Sequence, residues 1–164
     1  MDIKKLLNKY IKDNLAEESF LKQKFSFRAC GCACQEDLDY SSIDDYINNN
    51  KDESKFQKLL FKYIDERALK DSDVYNKVNI DRRLFSKIRS DENYHPSKET
   101  VILLSLALKL NEDEMLDLLE SASYSLPKNN VFDLIIRFCF INEIYEVNDV
   151  NELLFEHNQK VLNN

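Results

Sequence analysis

The scarcity of glycine constrains the fold of this chain more than any other feature. Its 164 residues contain a single glycine, Gly31, and only two prolines. Two-residue hairpin turns need glycine because their backbone takes positive φ angles, so a hairpin-rich β architecture is disfavoured. Phosphate-cradling loops also need several glycines, and neither G-x-G-x-x-G nor G-K-[ST] occurs. The sequence therefore predicts a mostly helical protein without a nucleotide-binding loop.

Composition predicts a folded domain that does not enter a membrane. Hydrophobic residues make up 43% of the chain and charged residues 32%, which is not the profile of an intrinsically disordered chain. No apolar run reaches the roughly 18 residues that span a bilayer, and the first residues lack the apolar stretch of a signal peptide. We therefore expect a cytoplasmic protein.

The charges are unevenly distributed along the chain. The net charge is −7, yet residues 55–98 carry eleven basic and seven acidic side chains, whereas residues 99–164 carry four basic and twelve acidic ones. A basic segment inside an acidic chain is what one local anion-binding face would produce. Solvated surface helices can produce the same asymmetry by chance.

The spacing of apolar residues predicts eight helices and little else. They are expected over 2–15, 53–69, 71–78, 82–90, 97–110, 112–121, 131–141 and 148–157. The helix over 97–110 is apolar throughout and should be buried, and the amphipathic first helix should pack on its own domain or dock a partner. Within the remaining segment we expect a short extended stretch at 25–34, a short helix at 41–47 and a polar linker.

Three residues predict how the central helices are joined. Asp71 and Asp81 are placed to cap the helices that follow them, since short acceptor side chains favour that position. Asn79 tolerates the left-handed backbone that a tight turn between helices requires. Two short helices joined in this way, with further helices after them, have the order of a helix-turn-helix domain.

Residues 55–121 resemble the phage-repressor-like (XRE) helix-turn-helix family, most closely over 81–90 and 96–101. A narrower similarity, over 73–90 and the helix that includes Phe132, is to small uncharacterised bacterial proteins that carry this module after variable N-terminal regions. The resemblance implies a five-helix repressor-like domain whose recognition helix begins at Arg82. Three residues depart from the family pattern: Tyr75 replaces a small alanine, Asn79 a glycine and Arg89 a common glutamate.

The helix over 82–90 carries the candidate DNA contacts. Helical spacing places four polar residues on one face: Arg82, Arg83, Ser86 and Lys87. Arginine and lysine can reach guanine edges or phosphates, and serine can contact either. Flanking phosphate contacts are expected from Ser72, Lys77, Arg89 and Lys98. The alternative is that these charges form an ordinary solvated helix face.

A cluster of three cysteines is the second notable motif: Cys30, Cys32 and Cys34. Thiolates bind zinc or Cu(I), and further ligands would have to come from Cys139, His95 or His157. The C-x-C spacing counts against zinc, whose structural sites use C-x2-C or wider pairs. A redox-sensitive switch and an ordinary small-residue segment are the alternatives, and Cys139 should be a buried core thiol. We predict no metal site and no cofactor.

The sequence as a whole predicts an all-α protein in three parts. These are an N-terminal helical arm with the cysteine cluster and linker (1–52), a helix-turn-helix domain (53–126) and a C-terminal two-helix extension (127–164). The expected function is double-stranded DNA binding by a bacterial or phage transcriptional regulator or targeting subunit. A homodimer would fit it, because such modules usually read operators as dimers.

The alternative function is that of a protein-binding adaptor in a multi-component bacterial system, for instance one in defence. It would keep the helix-turn-helix scaffold and dock its partner through the N-terminal helix and the acidic C-terminal helices. An enzyme is not expected, because no nucleophile, base and carboxylate share a recognisable local setting.

Overall fold

The computed structural model of the protein describes residues 3–24, 55–91 and 94–162, and all regular elements in these ranges are α-helices. The all-α prediction is therefore confirmed for the described part of the chain. In chain order the helices are α1 (Ile3–Lys24), α2 (Lys55–Glu66), α3 (Asp71–Lys77), α4 (Arg82–Ser90), α5 (Lys98–Ala107), α6 (Glu112–Ser121), α7 (Val131–Ile141) and α8 (Val147–Glu156). The elements predicted within 25–54 lie outside the described residues.

Most helix boundaries agree with those predicted from apolar spacing. The ends of α4, α6 and α7 are as predicted, and α8 begins and ends one residue earlier than expected. The clear difference is α1, which extends to Lys24 rather than ending near Leu15. Residues 16–24 contain neither proline nor glycine and several strong helix formers, so nothing in this stretch terminates the helix.

Helix α5 lies at the centre of the hydrophobic core. Every residue from Val101 to Leu108 is buried, as expected for a helix that is apolar on all sides. Ser105 is the polar residue in this stretch, and its hydroxyl donates a hydrogen bond to the Val101 carbonyl at 2.8 Å. The prediction of a buried helix is therefore confirmed, and α3 and α6 pack directly on it.

The packing continues from α5 towards both ends of the described chain. Helix α6 contacts α2 and α7, and α7 contacts α1 and α8. Leu7 and Ile11 of α1 belong to the same hydrophobic cluster as α5, and the Tyr10 ring lies 5.6 Å from that of Phe138. The face of α1 that carries Leu7, Tyr10 and Ile11 therefore packs on the rest of the chain, which is one of the two interpretations of the first helix. The division of the chain at 52 and 126 stays a prediction.

Six helices end in the same way without glycine. The second residue after each of these helices has a φ of 50–60°: Ala68, Asn79, Lys109, Ser123, Glu143 and Asn158. The next N–H then donates to the carbonyl five residues back, as from Ile80 to Tyr75 at 2.9 Å. This is the Schellman motif, in which glycine is the usual left-handed residue. The left-handed conformation predicted for Asn79 is therefore confirmed.

At four of the six ends, the residue after the left-handed position packs on the core and offsets the strain. At five of the six ends it is apolar: Leu69, Ile80, Leu110, Tyr124 and Ile144. Ile80 and Leu110 are buried, and Tyr124 and Ile144 pack against the core. Burial of a large apolar side chain contributes about 1.5–3 kcal/mol, whereas a left-handed non-glycine residue costs roughly 1–2 kcal/mol. The motif can therefore form without glycine.

Glycine at these positions should stabilise the protein. Lys109→Gly should raise the free energy of unfolding by about 0.5–1 kcal/mol, because the relief of strain exceeds the added entropy of the unfolded chain. Asn79→Gly should change it less, since asparagine already tolerates this conformation. Urea denaturation measures both. The control Asp117→Gly, at an exposed position inside α6, should cost about 0.3–0.5 kcal/mol, because glycine is less favourable than aspartate inside a helix. A similar loss of stability in Lys109→Gly would contradict the argument.

One acidic side chain lies within the core. Asp133, in the first turn of α7, is 1% exposed, and the Lys98 ammonium at the start of α5 lies 2.6 Å from its Oδ1. A buried carboxylate is costly unless it is paired, so this contact fixes α5 and α7 relative to each other.

Removing one partner of this pair should be more harmful than removing both. Lys98→Met should lower the free energy of unfolding by about 3 kcal/mol, because it leaves a buried carboxylate without its counter-ion. Adding Asp133→Leu to Lys98→Met should restore part of the loss. Urea denaturation of the single and double variants measures this coupling. If the double variant loses as much free energy of unfolding as the two single variants together, or more, the ion pair is not the source of the effect.

Candidate nucleic-acid interface

Helices α3 and α4 are joined by a four-residue connection whose geometry follows from its sequence. Asn79 turns the chain in the left-handed conformation, and Ile80 is buried beneath the turn. Asp81 then caps α4, its carboxylate accepting a hydrogen bond from the Arg83 N–H at 2.6 Å. The predicted cap at Asp81 is therefore confirmed, and the two helices pack against each other.

The predicted cap at Asp71 is wrong. Helix α3 begins at Asp71 itself, Lys70 occupies the N-cap position, and no side chain caps the helix. The Asp71 carboxylate instead accepts a hydrogen bond from Arg89 at 2.7 Å. The physical reason is that a charged partner from α4 competes with the backbone N–H groups for the same carboxylate oxygens.

The inner face of α4 is held by aromatic packing. Phe85 and Ile88 are buried, and the Phe85 ring lies 6.2 Å from the ring of Phe61 on α2 and 5.6 Å from that of Tyr75 on α3. Tyr75, which stands where the resembled family has alanine, therefore fills the space between α3 and α4. Burial of these rings fixes which side of α4 faces the solvent.

The outer face of α4 carries exposed basic charge. The helix contains four basic residues and no acidic one. Arg82, Arg83 and Ser86 are exposed, and within the described part of the chain their side chains have no hydrogen bond or ion pair. The Lys87 ammonium lies 4.6 Å above the Tyr94 ring, a cation–π contact that leaves its charge uncompensated. The four residues predicted to share a face do share it.

The four predicted flanking residues, by contrast, all have partners within the protein. The Ser72 hydroxyl donates to the Asp73 carboxylate at 3.3 Å. Arg89 binds Asp71, and its guanidinium also lies 4.2 Å above the Phe61 ring.

The two predicted flanking lysines contact α5 and α7. Lys77 donates to the Ala107 carbonyl at 3.2 Å, and Lys98 pairs with Asp133. The structure therefore places Arg82, Arg83, Ser86 and Lys87 together on α4, whereas Lys77 and Lys98 make separate contacts elsewhere.

Gln57 is a contributor to this region that the sequence did not reveal. Its side-chain amide donates to the carbonyls of Ile88 at 2.9 Å and Arg89 at 2.6 Å, so it binds the C-terminal end of α4. Helix C-termini leave carbonyls unpaired, and α4 lacks the Schellman motif that serves six of the other helices. The partners lie 31 and 32 residues apart in sequence, which is why no local pattern identifies them.

Both histidines make contacts typical of a structural role. The His95 ring lies 5.2 Å from that of Tyr124, whose hydroxyl is 3.4 Å from His95 Nδ1. His157, at the C-terminal end of α8, has its Nδ1 2.8 Å from the Leu153 carbonyl and its Nε2 3.3 Å from Asn8 Oδ1. These contacts join the loop before α5 to the segment after α6, and the end of α8 to α1.

Cys139 is a core thiol, as predicted. It is fully buried in α7, and burial raises the pKa of its thiol to about 12. Cys30, Cys32 and Cys34 lie outside the described residues. Among the residues that are described, no three His, Cys, Asp or Glu side chains are grouped so as to hold a metal ion. None of the described helices has both the length and the apolar composition needed to cross a bilayer.

Comparisons with protein-family models, curated proteins and solved structures gave no significant match for this chain. Its interpretation therefore depends on the geometry of its own residues. The main feature of that geometry is the exposed basic face of α4, a helix that contains no acidic residue. On its opposite face, Phe85 packs against Phe61 and Tyr75.

Removal of the α4 cap should loosen this helix. Asp81→Ala should lower the free energy of unfolding by about 1 kcal/mol, since the Arg83 N–H loses its acceptor. Asp81→Asn is the matched control, because asparagine caps as well as aspartate does. Urea denaturation measures both, and amide hydrogen exchange shows whether the first turn of α4 opens. Equal destabilisation by both substitutions would mean that the charge, and not the cap, is what matters.

Proposed function

We propose that the protein binds double-stranded DNA through the outer face of α4, as a bacterial or phage transcriptional regulator or targeting subunit. One observation carries the proposal: Arg82 and Arg83 are exposed and have no partner among the described residues. An α-helix with its side chains is about 10–12 Å across and the major groove is about 12 Å wide, so α4 matches the groove in size.

In this proposal α3 and α4 form the helix-turn-helix pair of a five-helix unit from α2 to α6. The second helix of such a pair lies in the major groove while the first crosses the phosphate backbone. Arg82 and Arg83 are then placed to contact guanine edges, and Ser86 and Lys87 to contact bases or phosphates. Arg89 would reach a phosphate only by leaving Asp71. A homodimer would place two such helices on a symmetric operator.

The acidic C-terminal part is compatible with a polyanionic ligand because much of its charge is compensated internally. Six of the twelve acidic side chains in residues 99–164 form ion pairs: Glu99, Glu112, Glu114, Asp133, Glu152 and Glu156. Lys4, Arg67 and Lys98 from outside this part and Arg137 and Lys160 from within it are the basic partners, and none of them is Arg82, Arg83 or Lys87. The charge that is left over on α4 is therefore available to an external anion.

Neutralising the outer face of α4 should abolish DNA binding. Fluorescence anisotropy of a random duplex should show affinity that falls with salt, with a log–log slope of about −0.9 per neutralised phosphate. The variant Arg82→Gln/Arg83→Gln/Lys87→Gln should lose most of this affinity and reduce the slope by about 2 to 3. The control Lys5→Gln/Lys9→Gln/Lys12→Gln removes the same charge from exposed positions on α1 and should bind as the wild type does.

Two results would contradict the proposal. Wild-type protein that gives no anisotropy change at about 50 mM salt has no general affinity for DNA. Equal losses in the α4 and α1 variants would show that net charge, and not the α4 face, governs binding.

The adaptor alternative is favoured by one observation, the exposed apolar side chain of Phe155 on the acidic helix α8, which is 75% exposed. Leu7 and Ile11 of α1 are used in the core, so a docking surface on the described face of α1 would have to rely on Ile3 and Leu15. An adaptor predicts no salt-dependent DNA binding and a protein partner lost on Phe155→Ser.

A further inference from the structure

A second group of basic side chains surrounds a cavity on a different part of α3. The cavity has a volume of about 380 Å³ and lies between the end of α2, the length of α3 and the end of α5. Arg67, Lys77 and Lys109 contribute its positive charge, and Asp73 is the one carboxylate in its lining. Leu69, which is 37% exposed, supplies apolar surface, and the buried side chains of Val74 and Leu108 lie behind it. Cavities of roughly 300–1,000 Å³ are typical of small-molecule sites.

Lys77 and Lys109 both line the cavity, and neither forms an ion pair within the described part of the chain. The Lys77 ammonium donates to the Ala107 carbonyl at 3.2 Å but forms no ion pair with Asp73, one turn earlier on α3. The side chain of Lys109 has no hydrogen bond or ion pair within the described part of the chain. Burial lowers the pKa of Lys77, and the positive charge of Lys109 lowers it further, with Glu146 acting weakly in the opposite direction. An anion placed between them would relieve this repulsion.

Arg67 is held in position at the edge of the cavity. Its guanidinium donates to Glu114 at 2.7 Å and lies 5.4 Å from the centre of the Tyr63 ring. These contacts use only part of the five N–H donors of an arginine. The remaining donors are therefore available at a fixed place, and little side-chain entropy would be lost when they bind an anion.

We propose that this cavity binds a small organic phosphate, with Lys77 and Lys109 on the phosphate group and Leu69 against the organic part. A phosphomonoester carries nearly two negative charges at neutral pH and would match the two ammonium groups. The cavity is larger than a bare phosphate ion needs, and its apolar wall gives the organic part a surface to contact. This site differs from the α4 face, which is open and has no apolar wall.

The test is isothermal titration calorimetry of the whole chain with phenyl phosphate and, separately, with inorganic phosphate. The ionic strength is kept constant, and chloride is titrated as the reference anion. We expect saturable binding of one phenyl phosphate per chain, tighter than that of inorganic phosphate. Lys77→Met and Lys109→Asn should each weaken it about tenfold or more, since each removes a charge-assisted contact. Asparagine at 109 keeps a residue that tolerates the left-handed backbone, so this variant should fold at least as well as the wild type.

The controls separate this site from the proposed DNA interface. Lys128→Gln, at an exposed position, and the triple α4 variant should both bind phenyl phosphate as the wild type does. Loss of binding in the α4 variant, with Lys77→Met unaffected, would place the anion on α4 and overturn the proposal. No saturable binding, or equal affinity for the two phosphates, would also overturn it. So would a loss of duplex DNA affinity in Lys77→Met that the triple α4 variant does not show, because the cavity would then hold a backbone phosphate.

Discussion

The burial of α5 is the interaction on which the arrangement of the other described helices depends. A helix without a polar face must be covered on every side, and α3 and α6 supply part of that cover. Both ends of α5 also bind charged groups: Lys98 reaches the buried Asp133 on α7, and the Ala107 carbonyl accepts a hydrogen bond from Lys77 on α3. Because α4 is packed on α3 through Tyr75 and Phe85, its outer face is oriented by contacts that begin at α5.

The lack of glycine shapes the loops as well as the fold class. Six helix ends use left-handed residues that carry side chains, and at most of them an apolar residue follows and packs on the core. The backbone strain of the left-handed residue and the burial that compensates it thus lie in two consecutive residues, such as Lys109 and Leu110. A chain built in this way keeps tight connections between short helices, and the four-residue link between α3 and α4 is one of them.

Local features could be predicted from the sequence, and contacts between distant residues could not. The ends of α4 and the grouping of Arg82, Arg83 and Ser86 follow from a capping aspartate and helical periodicity, both of which act within a few residues. The roles of Lys77 and Lys98 depend on partners 30 and 35 residues away. The same holds for Asp71, whose carboxylate is taken by Arg89 and not by its own helix. Long-range pairing of charges is what sequence spacing does not encode.

The shape of the surface around each basic group distinguishes the two kinds of anion proposed here. On α4 the charges stand on a convex, exposed helix, where a long polyanion could contact several of them at once. Around Lys77 and Lys109 the charges converge on a concave cavity beside apolar side chains, where a single compact anion gains more because fewer water molecules screen it. Six acidic side chains of the C-terminal part are paired within the fold. Glu114 among them binds Arg67 at the edge of the cavity, and none of the six binds Lys77, Lys109 or the basic residues on the outer face of α4. Separation of structural charge pairs from unpaired basic charge therefore leaves this acidic protein with exposed basic side chains on two different surfaces.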